Sequence, residues 1–418
     1  MKYCFGIWLF FLLLARIPLA AIQHSLGWES RPYVIINVLG LILSAFSFYG
    51  YGFMPLRRLC ASSAKPFLII FVSFWLLYFM RAAIDQYVFH IVMVRDLSML
   101  FKMFVNTTLI PFVCLIWIQP EKVSAQQLKI PLAMGSIGVV FAAVVFAFRN
   151  TQGRFSFADL NPIPASYSAL TLMILAALFL LKEFSNCRQS KQIDKNKYLL
   201  NIFLPMIGLV SGSFVLVESS TKSSFLALLV QIIVLACLFL RFSWGRFVLI
   251  GIASSSAVLA IVFSRIDRFS SVLNYESLQA SSTFAVRIKA LKYVWTWIGE
   301  NPWLGKGFEY SYQLRNLPDQ SISYPHNLFS EALVIGGLPL GILFIAYVII
   351  SLRATWIVAL NSYSPKDFNI WGAWLVLLWV QGMVWAQFSG QLALLPLFWL
   401  SSWLVVLYAS RLDFVRGV

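Results

Sequence analysis

The sequence predicts an all-α, polytopic integral membrane protein with about twelve transmembrane helices. Hydrophobic residues make up 60% of the 418 positions, charged residues make up only 11%, and the mean hydropathy is +0.81. Soluble domains carry about 25% charged residues. A hydrocarbon core of about 30 Å needs about 20 apolar residues per helix, and runs of that order recur along the chain. We therefore expect residues 1–418 to form a single membrane domain.

Twelve apolar runs define the expected helices in chain order. Charged, proline-containing or glycine-containing breaks separate these runs. The first run follows Met1 and Lys2 and is interpreted as an uncleaved span rather than as a signal peptide. The runs cover residues 4–23, 33–53, 66–81, 97–118, 130–148, 164–182, 198–217, 223–241, 247–264, 328–350, 370–387 and 391–409.

Lysines and arginines in the short loops predict that both termini are cytoplasmic, because positively charged short loops stay on that side of the membrane. Residues 182–197 alone carry five of these basic side chains. Under this topology, residues 265–326 form the sizeable outer segment of the chain, between the ninth and tenth spans.

The outer segment is predicted to contain a short amphipathic helix. Ser282 or Thr283 can cap its start, and Gly299 to Pro302 would end it. We expect this helix to lie at the membrane interface, although a lid that packs on the bundle explains the same pattern. The apolar residues that recur at helical spacing are Phe284, Ile288, Leu291, Trp295 and Ile298.

Charge and cysteine content exclude several other classes of protein. The net charge of +16 favours anionic lipid headgroups as partners, because no soluble basic domain or nucleic-acid recognition motif is present. The five cysteines form no CxxC pair and fall on the inner side under this topology, so no disulfide framework is expected. No Asp-x-Asp pair occurs, and we predict no metal site and no other cofactor.

Basic side chains near the predicted outer ends of spans suggest a site for an anionic, lipid-borne group. Each charge-assisted hydrogen bond to such a group contributes about 1.5 to 3 kcal/mol. Such side chains also act as snorkelling anchors, which is the alternative for any one of them. The residues concerned are Arg154, Lys222, Arg265, Arg268 and Arg287.

His326 is the candidate acid–base residue of the chain. It stands between Pro325 and Asn327 at the entry to a predicted span. An imidazole with an ordinary pKa of about 6.5 is suited to removing or orienting the proton of a hydroxyl nucleophile. Glu331, one turn further on, either orients this ring or is a solvated carboxylate at the mouth of the span.

Several of these residues occur in an order that resembles the O-antigen ligase and polymerase superfamily. The resemblance covers residues 150–345. One departure is Lys222, where members usually carry arginine, since lysine keeps the charge but loses the planar, bidentate guanidinium. The pattern consists of Arg154 before a span, Thr221-Lys222-Ser223 opening a later span, Arg287, Asn301-Pro302-Trp303-Leu304-Gly305-Lys306-Gly307, and His326-Asn327 entering a span.

The resemblance implies a GT-C-like helical glycosyltransferase of the bacterial inner membrane, with a periplasmic active site under a helical cap in residues 265–326. Such enzymes transfer a glycan from undecaprenyl pyrophosphate to an acceptor hydroxyl without a nucleotide sugar or a metal. Direct attack would invert the anomeric centre, because no carboxylate is an evident covalent nucleophile. By similarity, His326 and Arg287 would be catalytic, and the pyrophosphate would be bound by Arg154, Lys222, Arg265 and Arg287.

Three functions stay open at this point. A polymerase takes a lipid-linked repeat unit as acceptor, with a chain-length regulator as a further partner, whereas a ligase takes lipid A-core. Residues 265–325 carry seven basic and five acidic side chains, a mild excess that favours the polymerase over an enzyme for a phosphorylated core. A 12-span transporter or flippase explains the span count, but no similarity between the two halves of the chain supports it.

Overall fold

The computed structural model describes residues 4–26, 35, 37–42, 45, 62–118, 123–149, 162–189, 195–219, 221–239, 282–317, 324–362, 368–388 and 391–416. The regular elements in these ranges are helices, and the described part of the chain contains no sheet. The all-α prediction is therefore confirmed.

Fourteen α-helices are named here in chain order, within the ranges given above. Three π-helical turns, Phe10–Leu14, Ile84–Val88 and Val105–Leu109, and one 3₁₀ turn, Leu392–Leu394, lie between them. The helices are α1 (Cys4–Leu9), α2 (Arg16–Leu26), α3 (Lys65–Ala83), α4 (Leu97–Phe104), α5 (Ile110–Ile118), α6 (Ala125–Arg149), α7 (Pro162–Gln189), α8 (Lys195–Ser219), α9 (Lys222–Phe239), α10 (Ser282–Glu300), α11 (Glu309–Arg315), α12 (Leu328–Ser362), α13 (Ile370–Phe388) and α14 (Pro396–Arg416).

Seven helical stretches in the described ranges are long and apolar enough to cross a bilayer, which confirms the membrane class. Apolar side chains on their outer faces are widely exposed, as expected for contact with lipid. Shorter apolar helices cover Ser223–Cys237 and Pro396–Leu412. The seven stretches are Lys65–Val88, Leu97–Ile116, Ala125–Phe146, Pro162–Phe184, Asn201–Ser219, Leu328–Ser362 and Ile370–Phe388.

The total of twelve spans stays a prediction. The predicted span 247–264 and most of the predicted span 33–53 lie outside the described residues. The predicted span 328–350 is longer than expected, because its helix continues to Ser362 past the exposed Arg353. Helix α14 begins later than the predicted residue 391, at Pro396, since proline is favoured in the first turn of a helix.

Helix α12 is interrupted at two glycines. Gly336 has φ −126° and ψ 16°, and Gly337 has φ 62° and ψ −155°. In a continuous helix, the N–H of Leu338 would donate to the carbonyl oxygen of Val334. The break separates these two groups, and both would be costly to leave unpaired at the edge of a bilayer.

The loop of residues 302–307 supplies the hydrogen bonds that α12 lacks. Leu338 N donates to Pro302 O at 2.8 Å, and Lys306 N and Gly307 N donate to Val334 O at 2.7 and 3.1 Å. Most of the Asn301–Gly307 string therefore has a structural role in the described fold. It closes the break in α12 and joins the outer segment to the span that follows His326.

The same loop is attached to the C-terminal end of α3. Arg81 donates through Nη1 to Leu304 O at 3.0 Å and forms an ion pair with Asp85, with Nε and Oδ1 at 2.9 Å. Asp85 is fully buried and accepts from Phe308 N at 2.7 Å. Three parts of the chain are thus joined at one level of the bundle.

Buried glutamines hold α13 in place within the bundle. Gln381 Nε2 donates to Tyr167 O of α7 at 2.6 Å, and Gln231 Nε2 of α9 donates to Leu377 O at 2.8 Å. Hydrogen bonds between membrane helices of this kind fix their register. The far end of α13, at Phe388, is where the candidate site lies.

The predicted helix in the outer segment is confirmed, and part of its apolar stripe stays exposed. Ala290 and Val294 are fully buried where α10 packs on α12, whereas Ile288 and Trp295 of the predicted stripe are 44% and 46% exposed. The small side chain of Ala290 permits close approach between the helices. Ile288 and Trp295 are thus available to the membrane, which fits the interfacial position expected for this helix, while Ile298 packs against the core.

We expect Gly305→Ala to destabilise the fold while Gly299→Ala does not. Gly305 has φ 67°, and an added Cβ would lie 2.6 Å from Val334 O, so both backbone strain and a clash oppose alanine. The cost should be at least about 1 to 2 kcal/mol. Gly299, inside α10, has nothing within 4 Å of its Cβ position. Thermal unfolding in detergent measures both variants, and equal melting temperatures would contradict this account of the loop.

Candidate active site

A short stretch at the end of α13 is hydrogen-bonded to three separate parts of the protein, namely α10, the loop before α4 and the start of α12. This 387–392 segment consists of Gln387 and Phe388, which end α13, and Gln391 and Leu392, which follow; residues 389–390 lie outside the described part. Asn327 Nδ2 donates to Gln387 Oε1 (2.7 Å), Arg287 Nη1 donates to Phe388 O (3.0 Å), Arg95 Nη1 donates to Gln391 Oε1, and Leu392 N donates to Glu331 Oε2 (3.0 Å).

The end of α13 has a physical reason to attract a cation. The last carbonyls of a helix have no partner within the helix, and they form the negative end of its dipole. Phe388 O is such a carbonyl, and the Arg287 guanidinium satisfies it. Arg287, which α10 carries, is thereby brought beside the entry to α12.

His326 lies immediately before α12 in a strained conformation. Its φ is 56°, a left-handed value that few residues other than glycine adopt. Asn327 accepts from Ser330 N through Oδ1 at 2.9 Å, as an N-cap does, while its amide donates to Gln387. Both hydrogen bonds of Asn327 fix the backbone immediately after His326. They therefore help to maintain the strained conformation of His326.

The His326 ring is enclosed and electrically neutral at pH 7. The residue is 9% exposed, and its ring centroid lies 4.2 Å from that of Tyr324. Burial and the positive charge of Arg287 lower the pKa of His326 from 6.5 to about 4. Nδ1 is buried and has no hydrogen-bond partner among the described residues. The imidazole is therefore present in the form that accepts a proton.

Arg287 keeps part of its hydrogen-bonding capacity unused. The side chain is half-buried, and Nε has no hydrogen-bond partner in the described ranges. Burial lowers the pKa of Arg287, and the neighbouring Tyr324 raises it. A guanidinium remains charged at neutral pH under such conditions. It is thus a fixed cation next to a neutral imidazole.

Glu331 fulfils neither of the two expectations for it. It is only 1% exposed, so it is not solvated, and its oxygens do not orient the His326 ring. Oε1 accepts from Tyr310 OH at 3.2 Å, and Oε2 accepts from Leu392 N at 3.0 Å. Glu331 is buried within the bundle, and its two hydrogen bonds join α12 to α11 and to the 387–392 segment.

Arg95 belongs to this region, although sequence reasoning did not select it. It precedes α4 in the loop after α3, and its guanidinium is bonded to Gln391. Its charge, like that of Arg287, lowers the pKa of Tyr324, which burial and Glu331 raise. The signal that could have identified it is its position at an outer span end, the criterion that selected the other basic residues.

The structure brings together two of the predicted site residues, His326 and Arg287. Lys222 begins α9, and nothing is described of its side chain. Ser224, near the start of α9, is hydrogen-bonded to Ser166 of α7, and the adjacent Tyr167 stacks on Trp385, so the start of α9 lies at the Phe388 end of α13. Arg154, Arg265 and Arg268 lie outside the described residues.

Comparison with known families identifies the same part of the chain. Residues 207–345 match the family model described as O-Antigen ligase. The match covers about a third of the chain and includes Lys222, Arg287, the 302–307 loop and His326. No curated protein matches the chain.

In the described ranges, no group of three or more histidine, cysteine, aspartate or glutamate side chains could hold a metal ion.

The pKa of His326 can be measured without any assay of function. In the double variant His24→Gln, His90→Gln, the remaining histidine is His326, and NMR of labelled protein should give a pKa of about 4. Adding Arg287→Gln should raise that pKa, because a positive charge is removed from the vicinity.

Arg315→Gln is the control for this titration, since Arg315 is an exposed residue of α11. It should leave the pKa of His326 unchanged. A pKa near 6.5 both with and without Arg287 would mean that neither burial nor the guanidinium acts on the ring.

Proposed function

We propose that this chain transfers a glycan from undecaprenyl pyrophosphate to an acceptor hydroxyl. The match of residues 207–345 to the O-antigen ligase family supports this proposal. The chain is a bacterial membrane enzyme of the ligase and polymerase type. Its donor, its acceptor and its mechanism are the substance of the proposal. The observation that carries it is the meeting of His326 and Arg287 at the 387–392 segment.

The reaction needs two kinds of group, and the site contains both. The acceptor hydroxyl attacks the anomeric carbon, the bond from that carbon to the diphosphate oxygen breaks, and the hydroxyl proton passes to a base. His326 is neutral and has an unpartnered ring nitrogen, so it can accept the proton. Arg287 faces the same region and can stabilise the charge that develops on the leaving diphosphate.

Binding of the donor would also improve His326 as a base. An isolated imidazole with a pKa of about 4 is a weak base. A diphosphate beside Arg287 compensates the positive charge that disfavours protonation, so the pKa of His326 rises when the donor is bound. The base would then approach the strength that proton transfer at neutral pH requires.

The described carboxylates near the site favour direct displacement. Both oxygens of Glu331 accept hydrogen bonds, and Asp85 is engaged by Arg81 and by Phe308 N. Neither is free to act as a covalent nucleophile. We therefore propose a single displacement without a metal, which inverts the anomeric centre, and NMR of the product linkage tests it.

We further propose that the site faces the periplasm from the inner membrane. Arg154, Lys222 and Arg265 are proposed to complete the pyrophosphate site with Arg287. The sequence pattern supports these three assignments, because fixed cations at the level of the lipid headgroups can bind a lipid-borne diphosphate.

His326→Ala should lower the rate of transfer by a factor of about 10² to 10⁴, which abolishes it in practice, because the base is removed. Expression of the variant should be unchanged. Arg287→Ala should lower turnover and also raise the KM for the donor. Release of undecaprenyl pyrophosphate from a lipid-linked glycan by purified protein in nanodiscs measures both variants. His90→Ala, at an exposed residue of the loop after α3, is the control. Near-normal turnover of His326→Ala would show that the site is elsewhere.

The acceptor separates the two family activities, and each has one observation in its favour. The description of the matching family favours a ligase, which uses lipid A-core. The mild charge of residues 265–325, seven basic against five acidic, favours a polymerase, which uses a lipid-linked repeat unit. We propose the polymerase and treat the ligase as the second candidate.

A knockout strain examined on a lipopolysaccharide gel distinguishes them. Loss of a polymerase should leave core bearing one repeat unit, because ligation still occurs. Loss of a ligase should leave bare core and stranded lipid-linked polymer. A gel unchanged from the parent strain would contradict both activities and would favour a transporter for another substrate.

A further inference from the structure

Arg95 is held in place by a neutral partner. Its Nη1 donates to the side-chain oxygen of Gln391, and the residue is half-buried in the loop between α3 and α4. Among the residues that the structure describes, it forms no ion pair. Arg81, on the same side of the molecule, is by contrast paired with Asp85. The carboxamide of Gln391 orients the Arg95 guanidinium but does not neutralise it.

The buried carboxylate of Glu331 already accepts two hydrogen bonds. Glu331 and Arg95 line the same small cavity, of about 10 Å³, together with Tyr310 and Gln391. The oxygens of Glu331 accept from Tyr310 OH and Leu392 N, and no salt bridge joins Glu331 to Arg95 in the described residues. The cavity is large enough for about one water molecule. Arg95 and Glu331 therefore interact through their charges, but no salt bridge fixes the guanidinium to this carboxylate in the described residues.

Arg95 and Arg287 are anchored close together. Their acceptors, Gln391 Oε1 and Phe388 O, belong to residues three positions apart in the 387–392 segment. Three residues span at most about 11 Å. The charges of both arginines act on Tyr324, whose ring lies against His326. Arg287 thus lies close to both Tyr324 and His326, and Arg95 lies close to Tyr324.

We propose that Arg95 binds the diphosphate group of the lipid-linked donor, together with Arg287. A diphosphate carries at least two negative charges on adjacent phosphates, and two guanidiniums on one short segment can each take one of them. This inference rests on the proposed function, since it assigns a further binding residue to the same site. The carboxamide of Gln391 holds Arg95 without the salt bridge that a carboxylate at that position would form.

Equilibrium binding of undecaprenyl pyrophosphate to the full-length protein in nanodiscs tests the proposal. Arg95→Gln should weaken binding about tenfold to hundredfold, because a charge-assisted contact is lost. Arg95→Lys, which keeps the charge, should lose less. Gln391→Glu should weaken binding although Arg95 is intact, because the new carboxylate pairs with the guanidinium. Arg315→Gln, an equal change of charge at an exposed residue, should bind like the wild type.

The outcomes separate this proposal from the proposed function. Wild-type protein that neither binds undecaprenyl pyrophosphate nor releases it from a lipid-linked glycan overturns the function itself. Normal binding by Arg95→Gln and Gln391→Glu, in a protein that does release it, overturns the role of Arg95 alone. A purely structural Arg95 predicts that Gln391→Glu is tolerated, since an ion pair replaces a hydrogen bond. Lipid A-core, which also carries phosphates, is the second probe, and a loss confined to it would assign Arg95 to the acceptor instead.

Discussion

The polar groups that follow helix α13 must be hydrogen-bonded at the edge of the bilayer, and the candidate site is made of the groups that do this. Arg287 satisfies Phe388 O, Asn327 bonds to Gln387, and Leu392 N is taken by Glu331. Unpaired backbone groups are costly where water is scarce. One constraint therefore brings a cation and the entry to α12 to the same few residues.

The electrostatics of the site follow from that arrangement. Placing a guanidinium beside a buried imidazole disfavours a proton on His326, so the ring is neutral when the site is empty. The arrangement suits an anionic ligand, because the ligand's charge opposes that of the guanidinium. The unpartnered atoms His326 Nδ1 and Arg287 Nε, identified within the described part of the chain, are consistent with groups that find their partners in a substrate.

Much of the fold could be predicted because a bilayer imposes simple rules on sequence. Seven of the predicted spans are present in the described residues as helices long and apolar enough to cross a bilayer, since length and hydropathy are sufficient to specify a span. Sequence reasoning could not separate an interfacial α10 from a lid packed on the bundle, and the structure combines features of both, because Ala290 and Val294 are buried while Ile288 and Trp295 stay exposed. The 302–307 loop was selected as part of a family pattern, but its hydrogen bonds to Val334 and Leu338 depend on a break in α12 that periodicity does not reveal.

The sequence by itself determined the membrane class, the helical architecture and the two residues, His326 and Arg287, at the centre of the candidate site. These depend on composition, local order and short motifs, which are properties of the chain alone. Only the tertiary structure decided that Glu331 is a buried link, that Arg95 joins the site, and that the end of α13 accepts the hydrogen bonds of Arg287 and Asn327. Those contacts join residues far apart in the chain, and their partners are set by which helices pack together.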